Sequence, residues 1–218
     1  EQVLLPEEIL ESVLELTKNR LPEYGNFDPI EDIQVLTPMK KGLVGVISLN
    51  DSLQALLNPP DRHKQECNYR SHIFREGDKV MQIKNNYDKE VFNGDLGRIS
   101  KIDDEDRVLV TFADVWQERE VLYQGQELEE LSLSYALSIH KSQGSEFPVV
   151  IMPITTMHYV MLQRNLLYTA VTRAKKLLVL VGTKQALTIS IQSNRSVRRY
   201  GHLSDRLIEE FSQAVYST

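Results

Sequence analysis

Two stretches of sequence decide the fold: S-I-H-K-S-Q-G-S-E-F-P-V-V-I-M-P, residues 138–153, and R-N-L-L-Y-T-A-V-T-R-A-K-K, residues 164–176. In the first, the polar pair Ser145-Glu146 precedes Val149 to Met152, a short apolar run that predicts a strand buried on both faces. In the second, a helical pattern leads into another such run, Leu177 to Val181. Open α/β sheets bind ligands at the ends of their strands, so these polar groups are candidates for a functional site.

The same two stretches carry a family resemblance. H-K-S-Q-G-S-E-F-P resembles motif V of superfamily 1 helicases, and Y-T-A-V-T-R-A resembles their motif VI. The glutamine at Gln143, with T-P-M-K-K-G-L-V-G upstream, is similar to the RecD/TraA branch, which includes the exodeoxyribonuclease V alpha subunit. Two motifs in the expected order are far more specific than one. From about Ile33 onward, the resemblance implies part of an ATP-dependent DNA helicase.

The apolar runs next to these motifs predict a parallel sheet. Ile33 to Leu36 is a third short run and ends at Thr37-Pro38, which would bring Thr37 to the edge of the sheet. With the runs that begin at Val149 and Leu177, it would form the parallel core of an α/β domain. The resemblance implies that this domain is RecA-like.

The segment from Phe74 to about Glu127 has a different pattern. Short alternating runs are separated by turn residues such as N-G-D and D-D-E-D, which predicts a small five-stranded barrel. The RecD branch carries an SH3-like barrel at this point. We therefore expect a discontinuous RecA-like domain of the P-loop-NTPase type, residues 1–73 and 128–218, which lacks the P-loop itself, and an inserted SH3-like β-barrel, residues 74–127.

The remaining elements follow from helical spacing and from helix start and stop signals. One further strand is expected in the α/β domain after the barrel, at Leu131 to Ser134. Helices are expected in five places: Pro6 to about Leu21, Ile47 to Leu57, Tyr135 to Gln143, Thr183 to Gln192, and Leu203 to Val215. Gly144 would be the C-cap of the helix that ends at Gln143.

Composition excludes several classes of protein. The 218 residues are 41% hydrophobic but contain no run long enough to span a membrane, so we expect a soluble, cytoplasmic protein without membrane contact. Cys67 is the only cysteine and the five histidines are scattered, so no metal site is predicted. The acidic run Asp103 to Asp106 is interpreted as a solvated hairpin tip. The chain begins at Glu1 inside an amphipathic pattern, which indicates part of a longer polypeptide.

Positive charge is concentrated in the last third of the chain. The net charge is -6, yet the segment from His140 to Arg206 holds ten Lys and Arg against only Glu146 and Asp205. One interpretation is a solvated basic face. The other is contact with the phosphates of a nucleotide, a nucleic acid or both.

The resemblance implies specific roles at the nucleotide. Arg173, in V-T-R-A, matches the motif VI arginine finger, whose planar cation neutralises charge on the transferred phosphoryl group. Glu146 matches the carboxylate that accepts a hydrogen bond from the ribose, and Gly144 and Ser145 let the backbone approach the nucleotide. Arg164 matches a position that supports the finger. Without the family, Arg173 would be an ordinary surface arginine in an ion pair.

A second group of residues is implied to face single-stranded DNA. It consists of Thr37, His140, Lys141, Ser142 and Gln143, which would contact phosphate and sugar or transmit the nucleotide state. Read on its own, His140 would be a hydrogen-bonded helix histidine. The glycines Gly42 and Gly45 suit either an anion site at a helix start or an ordinary strand-to-helix turn, and the turn is favoured because no G-K-[ST] follows.

The sequence therefore predicts the C-terminal part of a helicase that moves 5′ to 3′. No G-x-x-x-x-G-K-[ST] occurs in the 218 residues, so ATP and Mg²⁺ would be held mainly by an N-terminal motor domain of the same polypeptide. The chain alone is expected to be inactive. A different hypothesis stays open at this point: a stand-alone module that binds nucleic acid or protein through the barrel.

Overall fold

A computed structural model describes residues 5–113, 118–156 and 163–193. The α-helices are α1 (Pro6–Glu15), α2 (Leu21–Gly25), α3 (Val46–Leu57), α4 (Arg164–Val171) and α5 (Lys184–Gln192). The strands are β1 (Ile33–Thr37), β2 (Glu66–Tyr69), β3 (His72–Arg75), β4 (Lys79–Gln82), β5 (Leu96–Ile102), β6 (Val108–Ala113), β7 (Glu118–Tyr123), β8 (Leu131–Leu133), β9 (Ala136–Ser138), β10 (Phe147–Ile154) and β11 (Ala174–Gly182).

The predicted parallel sheet of three strands is present, and β9 joins it as a fourth strand. Its order is β11-β10-β1-β9, and every neighbouring pair is parallel. All five residues of β1 are buried, as the apolar run predicted. In β11 only Val181 is buried, because this strand lies at an edge of the described sheet, so the prediction of a fully buried strand was wrong there.

The sheet separates two layers of helices. Val149 and Ile151 of β10 pack into a core with α1 and α3, whereas Val150 and Met152 pack on the opposite face with α4 and α5. Alternate residues of a strand point to opposite faces, so both halves of this apolar run are buried. The result is an α/β domain with helices on both faces of a parallel sheet, and the α/β class with its parallel sheet agrees with the prediction from sequence.

A five-stranded antiparallel sheet with the order β7-β6-β5-β4-β8 forms the barrel region. Its fifth strand corrects the sequence interpretation, which assigned Leu131 to Ser134 to the α/β domain. Leu131, Ser132 and Leu133 instead pair with β4. Strand pairing depends on tertiary register, which a three-residue run does not reveal. The division into domains at residues 74–127 remains a prediction.

The stretch after β8 was predicted to be helical, and this was wrong. Ala136–Ser138 is strand β9, and only Ile139–Ser142 forms a single 3₁₀ turn. The reason is tertiary: β1 pairs with one side of β9, while the side chain of Asn50 on α3 bonds both the N–H and the C=O of Ala136 on the other side, each at 2.9 Å. Satisfying both edges holds this short segment extended.

The N-terminal helix extends beyond its predicted end, and helix α5 begins at its predicted start. The N-terminal helix continues past Pro22 through a π-helical segment, Leu16–Arg20, and then α2, because proline is tolerated in the first turn of a helix. Helix α5 begins as expected, with the Thr183 hydroxyl accepting a hydrogen bond from Ala186 N. The predicted helix at Leu203 to Val215 lies outside the described residues.

The barrel and the sheet share one apolar core. A single cluster of buried side chains includes Ile9 and Leu49 from the helices and Phe74, Val80 and Tyr123 from the barrel region. Burial of this kind is the main stabilising term in folding, so the two regions stabilise each other. The barrel therefore has a defined position against the sheet.

Candidate functional site

The residues of the first motif form a tight turn between β9 and β10. Ser145 N donates to Ser142 O at 3.1 Å, and Gly144 sits at a φ of 91°. That conformation is accessible to glycine at little cost and strained for other residues. The turn brings the backbone of Ser145 to the start of β10.

The second motif docks on this turn. Arg173 follows the end of α4, and its Nη1 donates to the carbonyl oxygen of Ser145 at 3.0 Å. The backbone is joined as well, because Phe147 N donates to Arg173 O at 2.8 Å. Arg173 Nη2 donates to the Thr172 hydroxyl at 3.3 Å, while Nε is buried without a hydrogen-bond partner in the described part of the chain. The two motifs thus meet at one edge of the sheet.

Glu146 is exposed beside this contact. Its Oε2 lies 3.4 Å from Nζ of Lys175, and the side chains are 56% and 57% exposed. Exposed ion pairs contribute little to stability, about 0 to 1 kcal/mol. The carboxylate is therefore free to exchange this partner for a ligand hydroxyl at small cost.

Arg164 is not brought to Arg173. It is exposed and begins α4, whereas Arg173 follows the end of that helix. At 1.5 Å per residue, the two positions are separated by roughly 13 Å along the helix axis. The expectation that Arg164 supports Arg173 stays a prediction.

Two of the residues expected to face DNA are buried. Thr37 has no exposed surface, and its hydroxyl donates to Val44 O at 2.8 Å, which closes the turn into α3. Ser142 is also fully buried and donates to Ile139 O at 2.8 Å. Both hydroxyls are already used inside the protein, so these residues support the loops and do not offer a side chain to a ligand.

The exposed residues of the same loops form a basic edge, which we define as Lys40, Lys41, His140 and Lys141. They are adjacent because β1 and β9 are parallel neighbours, with Thr37 opposite Ser138, so the loops that follow both strands lie side by side. Gln143 is exposed in the same turn as His140.

The charges in this edge interact. Partial burial, and secondly repulsion from Lys40, lower the pKa of Lys141 below its ordinary value. Two lysines held close enough to repel each other favour an anion between them. Sequence reasoning had not singled out Lys40, because its proximity to Lys141 depends on strand β9, which was predicted as helix.

A cleft of about 940 Å³ opens between the barrel and the motif V turn. The barrel side carries Phe92, Arg98, Phe112 and Arg119, and the sheet side carries the backbone and side chains from Ser145 to Pro148. The cleft therefore adjoins the carbonyl group on which Arg173 docks.

The described part of the chain contains neither a cluster of metal-ligating side chains nor a membrane-spanning helix. Within residues 5–113, 118–156 and 163–193, no group of three or more His, Cys, Asp or Glu is placed to hold a metal ion. The Asp103 carboxylate in the acidic hairpin tip is used within the tip itself, because it accepts hydrogen bonds from Arg107 and from Glu105 N. None of the described helices is both long and apolar enough to cross a membrane.

Two family models match this chain. Residues 49–112 match the SH3 domain of ATP-dependent RecD-like DNA helicases, and residues 133–181 match the UvrD-like helicase C-terminal domain. The first range includes β4 to β6 of the antiparallel sheet, and the second includes both motifs up to β11.

Curated relatives agree with these models. The ATP-dependent RecD2 DNA helicase of Deinococcus radiodurans is 40% identical over 166 residues, which are 76% of this chain and 22% of the relative. The RecBCD enzyme subunit RecD of Haemophilus influenzae is 28% identical over 185 residues, 83% of this chain and 26% of that subunit. The chain thus spans about a quarter of the length of these relatives.

Solved structures of Pif1 helicases share the fold. The enzyme from Candida albicans superposes with a TM-score of 0.52 at 16% identity, over 99% of this chain and 60% of that one. Bacteroides Pif1 in complex with ADP-AlF3 and ssDNA gives 0.50 at 18% identity, over 98% and 51%. The family models and the RecD relatives together show that the chain belongs to the RecD-like helicases of superfamily 1, as a region that combines their SH3 domain with a UvrD-like helicase C-terminal domain.

Proposed function

We propose that this chain supplies the second motor domain and the inserted barrel of an ATP-dependent helicase that moves 5′ to 3′ on single-stranded DNA. The observation that carries the proposal is the 3.0 Å hydrogen bond from Arg173 Nη1 to Ser145 O. It holds the arginine of one motif against the turn of the other, at the amino ends of the parallel strands β10 and β11. A nucleotide held by another domain would meet the guanidinium at this edge of the sheet.

Arg173 is the proposed arginine finger. A guanidinium is always charged and presents several donors in a fixed plane, which suits the oxygens of a phosphoryl group in transfer. Its Nη1 bond to Ser145 fixes the side chain, while Nε has no hydrogen-bond partner among the residues that the structure describes. Glu146 would accept a hydrogen bond from a ribose hydroxyl, and this bond would replace its weak ion pair with Lys175.

The remaining catalytic groups would come from elsewhere in the polypeptide. The 218 residues contain no P-loop, so the P-loop lysine, the carboxylate that holds Mg²⁺ and the catalytic glutamate are assigned to an N-terminal motor domain. ATP would lie between the two domains and meet Arg173 from this side. The role requires a compartment that holds DNA and ATP, so we place the parent protein in the cytoplasm.

Single-stranded DNA is assigned to the basic edge. Lys40, Lys41, His140 and Lys141 are exposed and suit phosphate contacts, and Gln143 suits a sugar or phosphate hydrogen bond. Thr37 and Ser142 hold these loops in place from beneath. The basic edge and the Arg173 contact flank the same turn, so movement of that turn would connect DNA binding with ATP turnover.

The test is a directional unwinding assay with the full-length helicase that carries this chain. Duplexes with a 5′ or a 3′ single-stranded tail are compared in ATP and Mg²⁺, alongside ATP hydrolysis with and without single-stranded DNA. We expect DNA-stimulated hydrolysis and unwinding of the 5′-tailed duplex alone. Unwinding of the 3′-tailed duplex contradicts the polarity, and absence of DNA-stimulated hydrolysis contradicts the motor assignment.

A further inference from the structure

A buried lysine joins the barrel to the loops of the sheet. Lys79 lies on β4, and only 7% of its surface is exposed. Its Nζ donates to Ile30 O at 2.7 Å, in the loop that leads into β1. A buried ammonium group is costly unless it is paired, so a lysine at this position requires specific partners.

The partners of Lys79 come from two directions. Beyond the bond to Ile30, its Nζ lies 5.8 Å from the centre of the Phe147 ring, within the range of a cation–π contact. Burial lowers the pKa of Lys79 to about 8, against the opposing attraction of Glu31, Asp28 and Asp32. The ammonium group is thus desolvated between an acidic loop and an aromatic ring.

Phe147 connects this lysine with the proposed finger. Its N–H donates to the carbonyl oxygen of Arg173, and Arg173 in turn bonds the carbonyl oxygen of Ser145, two residues before the ring. A short chain of contacts therefore leads from a barrel strand, through Lys79 and Phe147, to Arg173. The other polar link from the barrel to the acidic loop, Arg98 to Glu31 at 3.4 Å, is more than half exposed and is expected to be weak.

We propose that Lys79 is a positioning residue that holds the barrel against the Ser145–Phe147 turn and so couples DNA handling by the barrel to the action of Arg173. This inference rests on the proposed helicase function. Lys79 does not touch the reacting groups. Its contribution is to make the position of Arg173 depend on the position of the barrel.

The proposal predicts a selective defect. Lys79→Met keeps the aliphatic stem but removes the charge and the donor, so the barrel loses its link to Ile30 and Phe147. In the full-length helicase, DNA-stimulated ATP turnover should fall about 5- to 20-fold, which lies at the lower end of the roughly 5- to 150-fold range typical of coupling between sites. Basal turnover and the KM for ATP should stay near wild type, because nucleotide contacts are unchanged.

A matched control is available on the same barrel. Lys101 lies on β5 with an exposed side chain, so Lys101→Met makes the same chemical change without disturbing the buried junction. Lys79→Arg retains a cation and a donor, and it should restore part of the stimulation. A purely structural role would lower basal and stimulated turnover together and would show no split between them.

Phe147→Leu tests the contact between Lys79 and Phe147 by changing the aromatic partner. This variant provides the test if Lys79→Met does not fold. It removes the ring face but keeps an apolar side chain, and it should reduce stimulation in the same direction. Stimulation within twofold of wild type in the folded variants, or an equal loss of basal and stimulated rates, overturns the inference while leaving the helicase assignment intact. A wild-type parent without DNA-stimulated turnover overturns the helicase assignment and this inference with it.

Discussion

Ser145 and Arg173 are 28 residues apart in the chain, yet Nη1 of Arg173 donates to the carbonyl oxygen of Ser145 at 3.0 Å. The contact exists because β10 and β11 are parallel neighbours whose first residues, Phe147 and Ala174, lie opposite each other. Ser145 lies two residues before β10 and Arg173 lies one residue before β11, so both motifs reach the same sheet edge. The acceptor is a backbone carbonyl, so any side chain at position 145 keeps it.

The first prediction concerns Arg173 in the full-length helicase. Arginine fingers contribute on the order of 10³- to 10⁵-fold to turnover, so Arg173→Ala should lose activity by that order. Arg173→Lys keeps the charge but loses the planar fork, and it should stay on the order of 100-fold or more below wild type. Nucleotide affinity should change much less, because the effect belongs to the transition state. Turnover at saturating single-stranded DNA and nucleotide binding are measured on the same preparations.

Arg20→Lys supplies the matched control for that experiment. Arg20 is exposed in the N-terminal helical segment, so the same substitution there should leave turnover unchanged. If Arg173→Lys hydrolyses ATP within a few-fold of wild type, Arg173 is a structural arginine that ties two loops together.

The second prediction is that the 218-residue chain alone hydrolyses no ATP. It contains the proposed finger, Arg173, but no P-loop, and an arginine finger by itself does not bind nucleotide. A purified sample is assayed for phosphate release with ATP and Mg²⁺, with and without single-stranded DNA. Magnesium-dependent turnover that disappears in Arg173→Ala would show that the chain holds a complete site.

The sequence predicted correctly those elements whose local residue pattern favours the same structure as their tertiary packing. Strands β1 and β10 are apolar runs that the sheet buries on both faces, and α3 ends where Asn58 and two prolines stop it. The two motifs also marked the sheet edge where Arg173 and Ser145 meet. At these places, local propensity and the final fold favour the same answer.

The errors have tertiary causes. β9 has three residues and is extended because β1 and the Asn50 side chain satisfy its backbone from both sides. β8 pairs with β4, a strand about fifty residues earlier in the chain, and the local sequence of β8 does not reveal this partner. Thr37 and Ser142 match a nucleic-acid-binding motif in residue type, but the sequence does not reveal that both side chains are buried.

The third prediction concerns the basic edge. The isolated chain should bind single-stranded oligonucleotides weakly and without sequence preference, with affinity that falls steeply as salt rises. Replacing Lys40 and Lys141 by Gln should weaken binding and reduce the slope of log K against log salt by about 1.4, if each contacts one phosphate. Fluorescence anisotropy over a salt series measures both quantities.

The control for this pair is the double substitution of Lys18 and Lys101 by Gln. These lysines are also exposed but lie on other elements, so the net charge changes identically while the basic edge stays intact. Equal effects of the two double variants would mean that overall charge, not this edge, attracts the DNA.

The fourth prediction concerns a buried carboxylate at the base of the barrel. Asp78 accepts hydrogen bonds from Asn58 Nδ2 (2.7 Å), Gln54 Nε2 (2.6 Å), Tyr135 Oη (2.9 Å) and Arg75 N (2.8 Å). Asp78→Asn would turn an amide N–H₂ group toward these donors. The chain should lose about 2 to 4 kcal/mol of stability, since buried donors are left without acceptors. Urea unfolding measures the change.

Asp51→Asn is the control for Asp78→Asn, because Asp51 lies on the exposed face of α3. Its stability should stay within about 0.5 kcal/mol of wild type, as is usual for surface substitutions. A similarly small effect of Asp78→Asn would show that the network re-forms around an amide and does not depend on the carboxylate.

The last prediction uses the pKa of Lys79, which burial lowers to about 8. In the unfolded chain this lysine titrates near its ordinary value of 10.5, so between these two pH values the unfolded state binds more protons than the native state. Stability from this group therefore rises as pH increases through that window, because deprotonation relieves the penalty of a buried charge. The full effect is roughly 3 kcal/mol, at 1.36 kcal/mol per pKa unit. Lys79→Met cannot titrate, so the difference in unfolding free energy between wild type and Lys79→Met should shift in favour of wild type from pH 7 to pH 10. Urea unfolding of the 218-residue chain at several pH values gives this difference, with other titrating groups cancelling between the two proteins. A difference that stays constant across the window would mean that Lys79 keeps an ordinary pKa and is solvated in the native state.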